Sequence, residues 1–448
     1  MSSNGQDPAS GAPHVVIIGG GIAGLAAAFY LRNEPVRVTL LEAASTLGGK
    51  LAVSEVAGVA VDQGAEAMWV GRPRVTGLMT ELGLGDRVAL ADNTARAIWT
   101  RGKTRPFLDN QFMSVPADLD ELARSGLLSD DGMARAREDL ELPLVGWHGD
   151  ISVGSYVGGR FGQELIDRLI DPWLCGVYAG RAEDLSFTAT QAPLAAASRK
   201  SASLTAAAAW LLEQTLPAEG KPPPTLVGTL TGGLGTLAGV LAEAVLATSP
   251  GAVVRTGAMV SELARSEHGW RLTVGTAADP EYIAADAVIL AVPAPAAGKL
   301  LAGVPGAAPA VAGLAEIPYA NVAIISLAYP RKAFPGGLGF SSYLSPAVDG
   351  RAVKETIFPT LKWPHPASEM EIVRCQIGRI GEDELLQRDD AELAALAASE
   401  LAEAIGPVGD PVATHVTRWD DALPQYMVGH LDRKAGIRAA VATQPGLA

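Results

Sequence analysis

The chain has 448 residues, of which 48% are hydrophobic and 19% charged, and its net charge is −14. That balance excludes a mainly disordered chain, and the negative excess excludes a general nucleic-acid binder, because it repels phosphate. Two cysteines, Cys175 and Cys375, exclude a disulfide framework or a cysteine-rich metal site and point to a reducing cytoplasm. The length is that of about two to four domains.

Met1 to Pro13 is polar and carries no basic segment followed by an apolar core, so it does not read as a secretory signal. Val15 to Leu31 is uncharged, but Gly19, Gly20, Gly21 and Gly24 interrupt it, which argues against a spanning helix. The reading is a soluble protein with at most a peripheral membrane contact. His14 to Ile18 predicts a strand, Ile22 to Leu31 a helix and Arg37 to Leu41 a second strand, which together make a βαβ unit. Val59 to Gly64 is a further strand, and Val75 to Gly83 is an amphipathic helix ending at its glycine. Arg96 to Pro106 reads as a hairpin centred on Arg101-Gly102. Pro116 to Ala218 is largely helical, with apolar residues at i, i+3 and i+4 in Leu119–Leu127, Phe161–Leu169 and Leu204–Leu216. Lys221 to Pro224 is a proline-rich break. Strands return at Val253–Val254, Val260, Trp270–Val274, Tyr282–Ile283, Val288–Val292, Asn321–Tyr329 and Ile372–Ile377, and Asp389 to Ile405 is a helix.

Gly19-Gly20-Gly21-Ile22-Ala23-Gly24 fits G-x-G-x-x-G between the first strand and the first helix. Gly19 permits the tight turn, Gly21 the approach of a pyrophosphate, and Gly24 close packing of helix on strand, with the anion on the free N–H groups of the helix. Glu42 ends the second strand, 18 residues after Gly24, where a carboxylate accepts from ribose hydroxyls and repels a 2′-phosphate. FAD and NAD both satisfy this much.

The segments Leu47-Gly48-Gly49-Lys50 and Asp62-Gln63-Gly64-Ala65-Glu66 resemble those of the flavin amine oxidase superfamily, with Thr46 where many members carry arginine. The resemblance narrows further on. Phe161-Gly162-Gln163-Glu164, Gly176-Val177-Tyr178-Ala179-Gly180, Leu230 to Gly235, Lys362-Trp363-Pro364, Arg418-Trp419, Leu423-Pro424-Gln425-Tyr426 and Val428-Gly429-His430 look like the protoporphyrinogen oxidase family, and the arginine-poor amino end and compact length look like its bacterial, coproporphyrinogen-oxidising branch.

The resemblance implies an FAD enzyme that oxidises a porphyrinogen in heme biosynthesis, coproporphyrinogen III in preference to protoporphyrinogen IX. Hydride passes to the flavin, and oxygen then reoxidises the flavin to give hydrogen peroxide. The rivals are an amine oxidase or carotenoid desaturase of the same superfamily, and a flavin- or tetrapyrrole-binding protein without turnover. No metal site is expected. The FAD contacts implied are Gly19, Gly20, Gly21, Ile22, Ala23, Gly24, Glu42, Ala43, Gly49, Lys50, Gly64, Ala65, Glu66, Ala67, Val260 and Trp419. Arg96 is implied as the partner of a substrate carboxylate and Tyr178 as a wall of the substrate pocket; Arg101, Lys103 and Arg105 make the hairpin around Arg96 basic.

The fold class expected is α/β. A Rossmann-type FAD-binding domain is assembled from residues 1–84, 224–297 and 406–448. A helical subdomain spans 95–202, and a mixed-sheet substrate domain takes 85–94, 203–223 and 298–405. In the family the closing Pro445-Gly446-Leu447 opens a strand that a glycine turn and helix follow, so the expectation is a chain lacking a C-terminal FAD-binding segment.

Overall fold

The structure is a computed structural model that describes residues 11–91, 95–144, 146–215, 227–364 and 368–448. The Lys221–Pro224 break lies outside the described residues. The first strand, His14–Ile18, lies between Arg37–Leu41 and Ala287–Leu290, and Val253–Arg255 adds beyond Arg37–Leu41; all pairings are parallel. At the far edge Leu447 pairs with Val288, and the Leu290 N–H donates to the Ala448 carbonyl. Side chains alternate across a strand, so an unbroken apolar run needs cover on both faces. Val15, Ile17, Val38 and Leu40 meet the helices Ile22–Leu31 and Thr236–Thr248 on one face. Val16, Ile18 and Leu41 meet Trp270, Leu272 and Val274 on the other. Those three belong to an antiparallel meander, Val260–Ser266, Gly269–Thr276 and Asp279–Ala285.

The second sheet has seven strands in the order Ala413–Pro424, Tyr319–Pro330, Met370–Ile377, Val353–Ile357, Ser342–Leu344, Arg96–Thr100 and Lys103–Pro106. The back face carries Ala97, Tyr343, Ile325, Val373, Cys375 and Ile377 against Leu393, Ala397 and Leu401 of the helix Asp390–Ala404, which a capping box at Asp389 and Glu392 starts. The opposite, front face follows from the register. Arg96 aligns with Ser342 and Ile357, which in turn aligns with Arg374; Glu355 aligns with Gln376; Val322 aligns with Trp419. A bulge between Val353 and Glu355 decides one of these positions. Val353 pairs with Ile377 on the back, and the extra residue Lys354 lets Glu355 pair with Gln376 on the front.

Helices between Leu119 and Thr215 form the third unit around Leu122, Val157, Phe161, Leu169, Leu174 and Phe187. Its heart holds an ion pair: Arg160 Nε donates to Asp139 Oδ1 at 2.6 Å, and both are buried. Asp139 also accepts from the Ser203 and Thr205 hydroxyls and the Leu204 and Thr205 N–H groups. These donors are why Leu204–Thr215 packs with the helices rather than with the substrate sheet expected for 203–223. The Arg96–Pro106 hairpin, expected at the start of the helical unit, is instead the edge of the seven-stranded sheet. Its turn has φ of +52° at Arg101 and +69° at Gly102, as a two-residue type I′ turn requires. Two further segments differ from expectation. Ala413–Pro424 joins the seven-stranded sheet, and the helices Ala294–Leu301 and Ala308–Ala315 place Leu300, Leu301 and Ala310 against the meander.

Candidate functional site

The glycine turn is shaped by what a Cβ would meet. Gly19 has φ +110°, and a Cβ there would lie 2.5 Å from the Ala291 carbonyl oxygen; at Gly24 it would lie 1.9 Å from that of Gly19. At Gly21 nothing lies within 4 Å. The helix that follows has no side-chain cap and no acid in its first turn, and Ile22 and Ala23 are exposed. Its first N–H groups therefore open onto free space, the arrangement that receives an anion. The Gly20 N–H donates to Glu42 Oε2 at 2.6 Å, and the Ala44 N–H donates to Oε1 at 2.7 Å. The Ala258 N–H bonds the Glu42 carbonyl and the Gly257 N–H that of Ala44, which carries the chain past exposed Ala43 and on to Val260 at the start of the meander.

The second glycine pair closes on the first. The Gly48 N–H donates to the Gly20 carbonyl, and Gly49, with φ +57°, lies against Gly21. The Lys50 ammonium stands 5.0 Å over the Trp419 ring, and burial lowers its pKa. A Cβ on Gly64 would lie 2.0 Å from the Lys50 carbonyl oxygen, so only glycine fits, and the Ala65 N–H donates to that same oxygen. Trp419 Nε1 donates to the Gln63 carbonyl at 2.7 Å. Residues 63–67, Trp419 and Lys50 thus form one wall, in which Ala65 is exposed and Ala67 half-buried.

Glu66 carries that wall to the front face of the large sheet. Lys362 Nζ donates to Glu66 Oε1 at 2.6 Å, and Arg374 Nη1 lies 3.6 Å from Oε2. Arg374 Nη2 donates to the Gly64 carbonyl at 2.5 Å, while its Nε and the Gln376 amide nitrogen are buried with no hydrogen-bond partner among the described residues. Glu355 follows on the same face, and burial raises its pKa against the pull of Lys362, Arg374 and Arg96. Arg96 stands beyond, its guanidinium 4.1 Å over the Phe107 ring. Its side chain keeps solvent contact, and desolvation lowers its pKa against the pull of Glu355 and Asp109.

The structure separates the two substrate residues expected from sequence. Gly176, on the helix Asp171–Tyr178, is the residue that faces the sheet: a Cβ there would lie 3.3 Å from Leu344 and 3.4 Å from Glu355 Oε2. Tyr178, two residues on, is turned to the other side of its helix. Its hydroxyl donates to the Thr190 carbonyl at 3.2 Å, its ring packs 5.7 Å from that of Tyr426, and burial raises its pKa. Two of the other hairpin cations pack against the helical unit. Arg101 pairs with Glu164, and Arg105 lies against Gly126. Sequence reasoning missed Glu355, Arg374 and Gln376. Alternation in Met370–Ile377, with Arg374 and Gln376 between Val373, Cys375 and Ile377, was a legible signal for two of them. Among the described residues no cluster of His, Cys, Asp and Glu could hold a metal ion.

A nucleotide turn with an open helix end, joined through Gly48–Lys50 to a wall ending on Trp419, matches the family described as flavin containing amine oxidoreductase over residues 22–447. The chain belongs to the flavin-containing amine oxidoreductases. It is an FAD-dependent oxidoreductase, and the residues around the turn fit that cofactor. Relatives include proteins named coproporphyrinogen III oxidase. The one from Mycobacterium tuberculosis (strain ATCC 25618 / H37Rv) is 33% identical over 95% of this chain and 90% of its own length. The one from Bacillus subtilis (strain 168) is 29% identical over 98% and 93%. A solved structure from Exiguobacterium sp. 255-15, provisionally named a protoporphyrinogen oxidase, superposes with a TM-score of 0.83 at 27% identity, covering 97% of this chain and 92% of that one. Cyclohexylamine oxidase from Brevibacterium oxydans IH-35A shares the amine oxidoreductase fold, with a TM-score of 0.66 at 18% identity. No helix among the described residues is long and apolar enough to cross a membrane.

Proposed function

We propose that this flavoprotein oxidises a porphyrinogen to the porphyrin in the cytoplasm as a step of heme biosynthesis. The preferred substrate is coproporphyrinogen III over protoporphyrinogen IX, oxygen is the final acceptor, and hydrogen peroxide is released. The observation that carries this reading is Arg96, a guanidinium at the front face of the seven-stranded sheet that forms no ion pair among the described residues. A cation without an ion-pair partner suits the propionate rim of a porphyrinogen, and a planar guanidinium takes a carboxylate in bidentate fashion. The names of the relatives support the choice of coproporphyrinogen III.

FAD, when bound, supplies a two-electron acceptor for hydride. The chain's own part is to hold and enclose. Gly19 to Gly24 and the helix end would receive the pyrophosphate, and Glu42 and Ala43 the ribose side, with Val260 toward the adenine. Gly49, Lys50, Gly64 to Ala67 and Trp419 would wall the ring. Arg96 orients the macrocycle by its rim.

The test is direct. FAD-loaded protein is mixed with coproporphyrinogen III, protoporphyrinogen IX and a panel of amines, and porphyrin fluorescence and hydrogen peroxide are followed. Fluorescence rising faster with coproporphyrinogen III is expected. Peroxide formed only from amines would sink the reading. Full FAD occupancy with no turnover of any substrate would favour a binding protein.

A further inference from the structure

We propose that Glu355 is the base that takes the pyrrole N–H proton of the substrate while the adjoining bridge carbon is oxidised. This rests on the porphyrinogen reading. Oxidising one bridge removes a hydride from the CH₂ carbon and a proton from a ring nitrogen. The electron pair of the broken N–H bond becomes the new π bond into the ring, and the hydride pair leaves to oxidised flavin. The proton needs an acceptor inside the cleft, and it goes to a carboxylate oxygen of Glu355.

Three independent features place Glu355 there. The bulge at Val353–Glu355 turns it onto the front face, where bulges commonly re-aim a side chain beside a site. Its carboxylate makes no hydrogen bond among the described residues, so it is open to a ligand donor. Gly176 packs opposite, its Cβ direction 3.4 Å from Oε2, so the carboxylate faces the helix Asp171–Tyr178. Glu355 also sits between the two halves of the site. Arg96 flanks it toward the substrate rim, and Lys362, Arg374 and Glu66 flank it toward the flavin wall.

The alternatives are already occupied. Glu66 is held by Lys362 at 2.6 Å and Arg374 at 3.6 Å, and an ion-paired carboxylate is a poor base. Tyr178 donates to the Thr190 carbonyl. His430 is stacked on Tyr426 at 4.4 Å, and burial lowers its pKa. Burial, the largest effect, and the charge of Glu66 strengthen the proton affinity of Glu355, as a base needs, against the opposing pull of Lys362, Arg374 and Arg96. Three hydrides and three protons leave in turn, and a tautomerisation that moves one hydrogen of the fourth bridge to a ring nitrogen completes the porphyrin, so the proton must leave Glu355 between rounds.

The experiment compares wild type, Glu355→Gln and Glu355→Asp as FAD-loaded full chains. Four quantities are measured: FAD occupancy, affinity for the porphyrin product by fluorescence quenching, the rate of porphyrin formation, and its pH profile. A positioned base contributes about 10²–10⁴-fold. Glu355→Gln should therefore lose at least about 100-fold in rate, with FAD occupancy unchanged and product affinity within about threefold. The acidic limb of the wild-type profile, where Glu355 is protonated, should vanish in Glu355→Gln and persist, shifted, in Glu355→Asp. Glu355→Gln turning over at the wild-type rate with the wild-type limb overturns the proposal. So does loss of FAD or product affinity in both variants, which would make Glu355 structural. Wild type inert toward every porphyrinogen removes the functional reading itself, and this inference with it.

Discussion

Two glycines of one motif make opposite predictions. A Cβ added at Gly24 would sit 1.9 Å from the Gly19 carbonyl oxygen and 3.3 Å from the Ala291 Cβ. Real carbon–oxygen contacts do not fall below about 3 Å, so the helix must retreat from the turn by about 1 Å. Overpacking of that kind costs about 1–3 kcal/mol, and the N–H groups that receive the pyrophosphate move with the helix. At the upper figure Gly24→Ala weakens FAD by about 100-fold, at 1.4 kcal/mol per decade, and lowers the melting point of the flavin-stripped protein by several degrees. Gly21 is different. Nothing lies within 4 Å of its Cβ direction, and its φ of −71° and ψ of 179° suit alanine. The loss of a glycine N-cap and the gain from a stiffer unfolded chain are each below about 1 kcal/mol and opposite in sign. Gly21→Ala should therefore leave the flavin-stripped melt within about 1 °C of wild type, while the new methyl in the open cradle weakens FAD about tenfold or more. Circular-dichroism melts and flavin-fluorescence titrations of both variants are the assay. Equal destabilisation by the two, or wild-type affinity in either, refutes the reasoning.

Other outcomes follow from the same geometry. Arg96→Ala should raise KM for the porphyrinogen by about 10- to 100-fold, the worth of a charge-assisted pair, with the FAD dissociation constant unchanged; parallel loss of both would indicate misfolding. Glu42→Ala removes the acceptor for the Gly20 and Ala44 N–H groups, so FAD titration should show a higher dissociation constant. Asp139→Asn should destabilise the protein by about 3–5 kcal/mol in denaturant melts at pH 7, because Arg160 is left buried without its counter-charge. Burial opposes ionisation of Asp139, but donors from Thr205, Ser203, Arg160 and Leu204 hold its carboxyl below the usual range. Its contribution is therefore full above about pH 4, the unfolded value, and is lost as pH falls through the lower folded value, so the gap between variant and wild type closes in acid. Burial pushes the Cys175 and Cys375 thiols up to about 12, so a thiol reagent should label neither in native protein and both after denaturation.

The nucleotide-binding half of the site was legible because its signals are local. A strand, a glycine turn, a helix and Glu42 fall within one short stretch, and each residue is dictated by its immediate neighbours. The hairpin centred on Arg101-Gly102 was legible for the same reason. The substrate wall was not. Arg96, Glu355 and Arg374 meet only through a sheet register that joins distant parts of the chain, and a bulge of one residue decides the direction of Glu355. The helix turns Gly176, not Tyr178, toward the sheet, and no motif shows which residue of a helix faces its neighbour. The boundaries of the helical unit shifted because Asp139 draws Ser203 to Thr205 inward, which no periodicity reveals.

Both sheets are closed by strands that arrive late. His14–Ile18 acquires its outer neighbour only with Ala287–Leu290, roughly 250 residues after Leu41, and Arg96–Thr100 waits for Ser342–Leu344. On a ribosome adding about 5–20 residues per second, the first βαβ unit stays open on one edge for roughly 12–50 s. The helical unit between them closes on local contacts and can form while the sheets wait. Unpaired apolar strands held that long are aggregation-prone edges, so folding of this chain in the cell is a matter of timing: its yield should depend on translation rate and on chaperone cover of the amino-terminal strands.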